Sequence, residues 1–472
     1  MGAMTAPALL WFRQDLRLAD NPALAALDGR PALFVYILDD ETAGAWAHGG
    51  AQRWWLHHSL ASLAEGLAAR GATLHLARGP ATRIIPELAA AIGAGEVIAG
   101  RLYEPWARSR DAAIAKSLEA EGRKLSLHTS SLLHEPHRIR TGTGKPYSVY
   151  TPFSRALFAL GEPPPPIPAP ERLNSVTHPG LPLDALELLP RLDWAREFPT
   201  HWQPGEAGAA ARIKAFTAIR RYDDTRNTPG IAGTSGLSPH LRFGEISPRQ
   251  LWHAARAAGV TGDATFLKEI LWREFAYHLL WHRPELPEAP LQESFANFPW
   301  QPDDKLLRAW QRGMTGYPIV DAGMRQLWRT GWMHNRVRMI TASFLVKHLL
   351  QPWRAGQAWF WDTLLDGDLA SNAASWQWVA GCGADAAPYF RVFAPVLQGE
   401  KFDADGAYVR RWVPEIAALP DKYIHKPWEA PDILLRGANL RLGVDYPRPI
   451  MDHAKGRARA LDAYAEMRGA AP

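Results

Sequence analysis

Five short apolar runs alternate with amphipathic stretches across residues 8–130, and nothing else in the chain restricts its fold as much. Ala8–Phe12, Ala32–Leu38, Thr73–Ala77, Glu96–Ala99 and Lys124–His128 read as buried strands. The stretches around Gln52–Arg70, Ala81–Ile92 and Arg108–Glu121 read as helices between them. Strands separated by helix-length segments cannot pair as hairpins, so the pattern predicts an α/β domain with a doubly wound parallel sheet. Such a sheet offers a nucleotide-type ligand the carboxyl ends of its strands. The first strand, however, runs into Arg13-Gln14-Asp15-Leu16-Arg17 rather than a glycine-rich turn. With no G-x-G-x-x-G fingerprint and no Walker loop, an NAD-type or P-loop role is disfavoured.

The texture changes near Ser130. Gly142, Gly144, the run Pro163 to Pro166 and further prolines to Pro204 break any long periodicity, as in a connector running over a surface. From Glu206 onward apolar residues recur at three- and four-residue spacing. Helices are predicted over Ala207–Arg221, Pro248–Ala258, Ala264–Trp281, Leu306–Gln311, Pro318–Thr330, Met333–Leu350 and Gln357–Leu365, with a last one near Asp452–Arg468. The 472 residues thus divide into an α/β domain over 1–130, an interdomain linker over 131–205 and an all-α domain over 206–472.

Composition excludes several classes. No uncharged apolar run approaches the length that spans a bilayer, and the N-terminal stretch lacks the pattern of a secretory leader, so a cytoplasmic location without membrane contact is expected. The single cysteine, Cys382, excludes an internal disulfide and any cysteine-based zinc cluster, and no metal is expected. Lys and Arg number 53 against 48 Asp and Glu, a net +5 compatible with a polyanion partner. The 21 tryptophans can serve as packing, as stacking platforms for bases or as redox relays. Packing is the ordinary use.

Four clusters in the helical half carry ligand chemistry. Asp366–Trp378, DGDLASNAASWQW, sets two carboxylates and the Asn372 carboxamide beside Trp376 and Trp378. That mixture suits a flat heteroaromatic ligand, and equally a capped, well-packed helix. The loop Gly233–Ser238 could cradle phosphates with its backbone donors and hydroxyls, although such loops are more often plain turns. Glu269 and Trp272 are three apart and share a helix face, so a carboxyl and an indole could address one base; the alternative is an amphipathic helix. Asn335 and Met339, four apart, also share a face, with Arg336 and Arg338 projecting elsewhere; a solvated basic flank is the alternative. Arg226, Arg391 and Lys401 add positive charge to the same half. Together these features suit a nucleobase taken out of its stack.

At these residues the chain resembles the photolyase/cryptochrome flavoprotein family. The resemblance runs from Trp11–Arg17 to about Tyr446-Pro447. Its most specific blocks are TGYPIVDAGMRQL (Thr315–Leu327), GWMHNRVRMITASFLVK (Gly331–Lys347), DGDLASNAASWQW and DAAPYFRVF (Asp385–Phe393). The resemblance implies an α/β antenna domain, a long linker and an all-α C-terminal FAD-binding domain. It also implies that Tyr222 and Thr234, Ser235, Gly236, Leu237 and Ser238 hold the flavin's phosphates and ribityl chain. Arg273, Asn335, Asp366 and Asp368 would contact FAD, as would Phe266, where another branch has Trp. Asn372 would face the flavin N5. Trp376, Trp353 and Trp300 match the tryptophan relay that brings electrons from the surface. Glu269, Trp272, Asn335, Met339 and Trp378 match the pocket for a flipped pyrimidine dimer, and Arg226, Arg336 and Arg391 match contacts to flanking phosphates.

The implied activity is that of a monomeric carbon–carbon lyase acting on cyclobutane pyrimidine dimers in damaged DNA. Members acting on (6-4) photoproducts are expected to carry pocket histidines where this chain has Asn335 and Met339. Plant cryptochromes tend to place Asp where it has Asn372, and signalling cryptochromes often extend further past the last motif. Ala394 departs from the family's usual Asn. Ala107-Arg108 falls where one folate-binding branch has Asn-Glu, whereas Gly49–Leu56, GGAQRWWL, resembles another folate-linked branch. The expected antenna is therefore 5,10-methenyltetrahydrofolate, with 8-hydroxy-5-deazaflavin as the alternative. A cryptochrome without repair activity and a flavoenzyme working in darkness are the rival readings.

Overall fold

The computed structural model describes residues 6–385 and 390–469. By compactness the chain groups into two units, each assembled from separated stretches. The first comprises Met1–Arg220, Ser235–Pro284 and Leu365–Ala370; the second comprises Arg221–Thr234, Glu285–Leu364 and Ser371–Pro472.

The first unit contains the expected sheet. Strands β1 (Ala8–Phe12), β2 (Ala32–Leu38), β3 (Leu74–Arg78), β4 (Glu96–Gly100) and β5 (Lys124–His128) run parallel in the order β3-β2-β1-β4-β5. Leu10 stands between Phe34 and Ile98 in register. Both β1 and β2 are buried at every residue, as strands covered on both faces must be. Helices α1 (Gly50–Ala68), α2 (Ala81–Ala91) and α3 (Pro105–Ala120) follow strands β2, β3 and β4. Leu9, Trp11, Val35 and Val97 form one sheet face, packed with Ile85, Leu88, Ile114 and Leu118.

The connector is more ordered than its composition suggests. It contains helix α4 (Tyr150–Ala159), with Tyr150, Phe153, Ser154 and Leu157 buried at helical spacing. Glycines before it and prolines after it hide so short a period in the sequence. Further on, the connector hydrogen-bonds to the sheet. The Ala32 amide donates to Asn174 O (2.9 Å) and the Leu181 amide to Leu76 O (2.8 Å).

Three helices complete the first unit: α5 (Ser238–Phe243), α6 (Pro248–Ala257) and α7 (Thr265–His282). A capping box between Ser247 and Gln250 starts α6. The turn after α5 lies against the strand-β1 exit, where the Leu16 amide donates to Phe243 O (3.0 Å). Gly244 is required there: its φ is +66°, and a Cβ would strike the Gln14 carbonyl. Trp55 Nε1 donates to Glu245 Oε1 (2.9 Å), fixing α1 to the same turn.

The second unit is helical. Its helices include α8 (Pro318–Thr330), α9 (Asn335–Ser343), α10 (Trp353–Thr363), α11 (Leu369–Ala380), α12 (Pro395–Phe402) and α13 (His453–Gly469). The first two residues of α11 belong to the first unit and the rest to the second. Three helices differ from the periodic reading. In place of one helix over Met333–Leu350, His334 caps α9, and the winding widens to π over Phe344–His348. Helix α10 begins at Trp353 rather than Gln357. The predicted Ala207–Arg221 helix also breaks, into Glu206–Ala215 and a 3₁₀ turn over Thr217–Arg221.

Trp310, Tyr317, Val337, Ile340, Phe344, Trp353, Phe360 and Trp376 belong to one continuous core. The Thr315–Leu327 block owes part of its character to Asp321, which is fully buried. Its carboxylate accepts from the Thr315 amide (2.7 Å), the Thr315 hydroxyl (2.6 Å), the Gly316 amide (3.0 Å) and the Tyr446 hydroxyl (2.6 Å). Such a carboxylate holds a turn together and leaves little room for substitution.

Gly356 on α10 faces the Trp376 ring so closely that a Cβ would overlap it. Gly356→Ala should push the indole off its rotamer at about 1–3 kcal/mol. The expected result is a thermal midpoint lower by about 2–8 °C, read by calorimetry on the two proteins.

Candidate functional site

Within the first unit, α7 carries Glu269, Trp272 and Arg273 one turn apart. Their spacing places a half-buried carboxyl beside an indole that is 38% exposed. Such an exposed indole stands out on a helix whose Phe266, Phe275 and Tyr277 are buried and whose Trp281 is half-buried. Two hydrogen-bonded groups fix the helix on residues 131–134. Glu274 accepts from the Leu133 amide (2.9 Å) and the His134 amide (3.2 Å), and Arg273 Nη1 donates to Ser131 O (2.6 Å).

The same unit sets the conformation of residues 366–368. Arg242 Nε donates to Gly367 O (2.6 Å), and the Tyr277 hydroxyl donates to the Asp368 carboxylate. Burial, and then the Asp368 charge, hold the Tyr277 phenol well above its ordinary range, so it keeps the proton it donates. Asp366 and Asp368 are 8% and 7% exposed, too buried for solvated surface carboxylates. Of the expected phosphate loop, Ser235, Gly236, Leu237 and Ser238 lie in this unit and Thr234 in the other. Gly236 adopts φ +61° and the Leu237 amide donates to Ser235 Oγ (3.4 Å), a local turn compatible with either reading of the loop. Phe266 is buried against Phe216, with ring centroids 5.9 Å apart.

The second unit holds Tyr222, Arg226, Trp300, Asn335, Arg336, Met339, Trp353, Asn372, Trp376, Trp378 and Arg391. On α11, Asn372 donates through Nδ2 to Gln357 O (3.0 Å) on α10, which leaves its Oδ1 as an acceptor. Gln357 itself is 1% exposed, and its Nε2 has no hydrogen-bond partner among the described residues. Trp376 packs edge-on against Phe360 (5.0 Å) and Trp310 (6.2 Å). Exposure is 2% at Trp376 and 4% at Trp353, and Trp300 is half-buried beside Phe298, 4.4 Å away.

Buried polar clamps hold α11. Gln377 donates to Leu286 O (2.7 Å) and Ala289 O (2.8 Å) and accepts from the Leu291 amide (2.8 Å). Lys347 Nζ caps Ala380 O (2.6 Å) at the helix end. Trp378 is half-buried, with Nε1 on Asp385 O (3.1 Å). Residues 386–389 of the DAAPYFRVF block lie outside the described residues.

At the start of α9, Asn335 is exposed and Met339 half-buried. Arg336 does not project away from Met339 as its spacing suggests: its Nη1 lies 3.8 Å from Met339 Sδ. The guanidinium is drawn back by Asn227 Oδ1, which accepts from Nη2 (2.6 Å) and Nε (3.2 Å), and by the Phe402 ring at 4.4 Å. Burial, then the positive charges of Arg226 and Arg391, lower the pKa of Arg336. Positive charge crowded around Arg336 in this way favours an anion beside it. Burial, then the charges of Arg338, Arg336 and Arg226, push His334 down to about 4, so its neutral ring can accept from the Arg336 amide (3.2 Å).

The carboxyl ends of β1 and β4, where the sheet order reverses, are filled. Arg13 pairs with Asp111 (2.5 Å) and Arg110 with the same carboxylate (2.9 Å), both buried. Both guanidiniums lie near the Trp11 ring, at 4.8 and 4.6 Å. At Ala107-Arg108, the Arg108 guanidinium covers the Trp281 ring at 3.8 Å.

Tyr277, Arg242 and Gln357 shape these surroundings without any motif of their own. Each reaches its partner across at least 15 residues of sequence, so local spacing carries no signal of them.

A family model described as DNA photolyase matches residues 8–171, and one described as the FAD binding domain of DNA photolyase matches residues 266–466. The chain is 52% identical to the deoxyribodipyrimidine photo-lyase of Agrobacterium fabrum, over 99% of each chain. It is 36% identical to Cryptochrome-1 of Arabidopsis thaliana, over 98% of this chain and 70% of that one. Its structure superposes on a bacterial class III photolyase from Agrobacterium tumefaciens with a TM-score of 0.96 and 51% identity, covering 99% of each. The chain belongs to the DNA photolyase family, and FAD is its cofactor class. One polar atom of the second unit suits such a ring: Asn372 Oδ1, not engaged by the bond to Gln357 O, offers an acceptor.

Burial raises Glu274 to about 7, from an ordinary 4.5, despite its two amide donors. A folded value above the unfolded one means that the folded state holds the proton longer. Stability from this group is full below about pH 4.5 and is lost as pH rises through about 7. Glu274→Gln cannot ionise and should lack this loss. Thermal midpoints of both proteins from about pH 5 to 8 should show the wild type falling relative to the variant.

Proposed function

We propose that the protein is a light-driven DNA repair enzyme that splits cis-syn cyclobutane pyrimidine dimers. The observation that carries the reading is the full-length 52% identity to a protein named deoxyribodipyrimidine photo-lyase. Reduced FAD, when bound and excited, supplies one electron to the dimer and takes it back, so the overall reaction is redox-neutral.

In this reading Asp366, Asp368, Arg273, Asn335, Phe266, Tyr222 and Thr234 to Ser238 bind the cofactor. The Asn372 carboxamide oxygen, left over after its amide binds Gln357 O, accepts a ring N–H and so fixes the ring's protonation. Trp376, Trp353 and Trp300 relay electrons inward; the rise in exposure towards Trp300 supports that order. Glu269 hydrogen-bonds the dimer edge and stabilises charge that develops there. Trp272, Asn335, Met339 and Trp378 receive the flipped bases, and Arg226, Arg336 and Arg391 hold the flanking phosphates. The repulsion felt by Arg336 supports the last assignment.

The antenna we propose is methenyltetrahydrofolate. The Arg13–Asp111–Arg110 packing at the strand ends disfavours the alternative deazaflavin at that crevice. The chain's three-part division, a monomeric state and a cytoplasmic location belong to the same proposal. Among the described residues no helix is long and apolar enough to cross a membrane.

The Arabidopsis match supports a second reading, a cryptochrome without repair. A defined dimer oligonucleotide under blue light separates the two. Loss of dimer from the fully reduced enzyme is expected; no light-dependent loss rejects the lyase reading, and a (6-4) substrate in parallel tests the other lesion. Trp300→Phe should slow photoreduction of the oxidised flavin about tenfold or more, and an unchanged rate rejects the relay. Arg336→Ala should weaken binding of all DNA sequences alike and reduce the salt slope of log K by about 1, measured by titration at several salt concentrations.

A further inference from the structure

The Tyr150 ring lies flat on the Trp272 ring, with centroids 3.5 Å apart and planes 6° from parallel. Two neutral rings prefer an offset or edge-on arrangement to such an overlay. Something else therefore holds them, and two observations supply it. The Tyr150 hydroxyl donates to Lys268 O (2.8 Å), one turn before Trp272 on the same helix, α7. Phe275, also on α7, meets Tyr150 edge-on at 5.9 Å and Trp272 edge-on at 6.0 Å. Tyr150 is 6% exposed, whereas Trp272 remains 38% exposed. One face of the indole is thus sealed by tyrosine, and its exposure lies on the opposite face and edges.

We infer that Tyr150, at the start of α4 in the connector, is a positioning residue for the lesion-binding face of Trp272. The inference rests on the reading of Trp272 as a dimer contact. An unsupported indole on a helix surface turns about two side-chain bonds and must be ordered when a ligand arrives. The tyrosine removes that freedom beforehand and sets the plane of the exposed face. A saturated, puckered pyrimidine dimer cannot adjust to a tilted ring as a flat base can, so a fixed plane favours the lesion over undamaged DNA.

The test measures dissociation constants for dimer-containing and undamaged oligonucleotides in the dark, with flavin content as the check on folding. Tyr150→Leu, which fills space without a plane, should weaken dimer binding about tenfold and undamaged binding far less. Tyr150→Phe, which keeps the ring, should stay within about twofold of wild type. In a Trp272→Ala background, Tyr150→Leu should add little, since the tyrosine acts through the indole. Wild-type dimer affinity in Tyr150→Leu, equal losses in the Phe and Leu variants, or full additivity with Trp272→Ala would each overturn the inference. A wild-type protein that does not prefer the dimer would instead sink the functional reading, and this inference with it.

Discussion

The first unit depends on one buried guanidinium. Arg17 is fully buried and donates to three backbone carbonyls: the neighbouring Asp20 O (2.6 Å) and, from distant stretches, Ser130 O (2.7 Å) and Gly244 O (2.9 Å). A buried charge without such acceptors would be expelled, so the three carbonyls and the arginine fix one another. They join the exit of β1, the residues after β5 and the turn between α5 and α6. Everything that follows in this unit, including α7 with Glu269 and Trp272, starts from that junction. Asp20 extends the junction by accepting from the Ile167 amide (2.9 Å) in the connector.

The sheet was legible in the sequence because burial on both faces leaves nearly continuous apolar runs, and only β3 shifted, by one residue. Helix α4 was not legible, because glycines and prolines flank a ten-residue helix closely enough to mask its period. Periodicity also overran α9, since a π turn keeps apolar side chains inward while changing the winding. At the site, residue types announced themselves at Asp366–Trp378 and Glu269–Trp272, where polar groups interrupt aromatic helices. The roles came from resemblance to a family, because spacing alone left each cluster balanced against ordinary packing. What lay beyond reach were the side chains that position others, such as Tyr277, Gln357 and Tyr150, whose partners are remote in sequence.

Helix α11 illustrates how a segment rich in chemistry is kept in place. Its apolar residues do not form a single stripe, so packing alone does not define its rotation. Gln377 and Lys347 do this instead, with buried polar contacts to residues 286–291 and to the helix end. Burial drives the Lys347 ammonium well below its ordinary range, and the Phe390 ring lies 3.0 Å from its nitrogen. Such contacts are direction-specific where apolar packing is not, and they leave the remaining faces of the helix available for Asn372, Trp376 and Trp378.

The interleaving of the two units along the chain has a consequence for synthesis. The first unit lacks its last piece, Leu365–Ala370, until most of the polypeptide has left the ribosome. The sheet can form early from local crossovers, but Arg242 and Tyr277 wait for their partners at Gly367 and Asp368. Vectorial emergence thus separates an early scaffold from the late contacts at residues 367 and 368. No single cut in the chain separates one unit whole from the other.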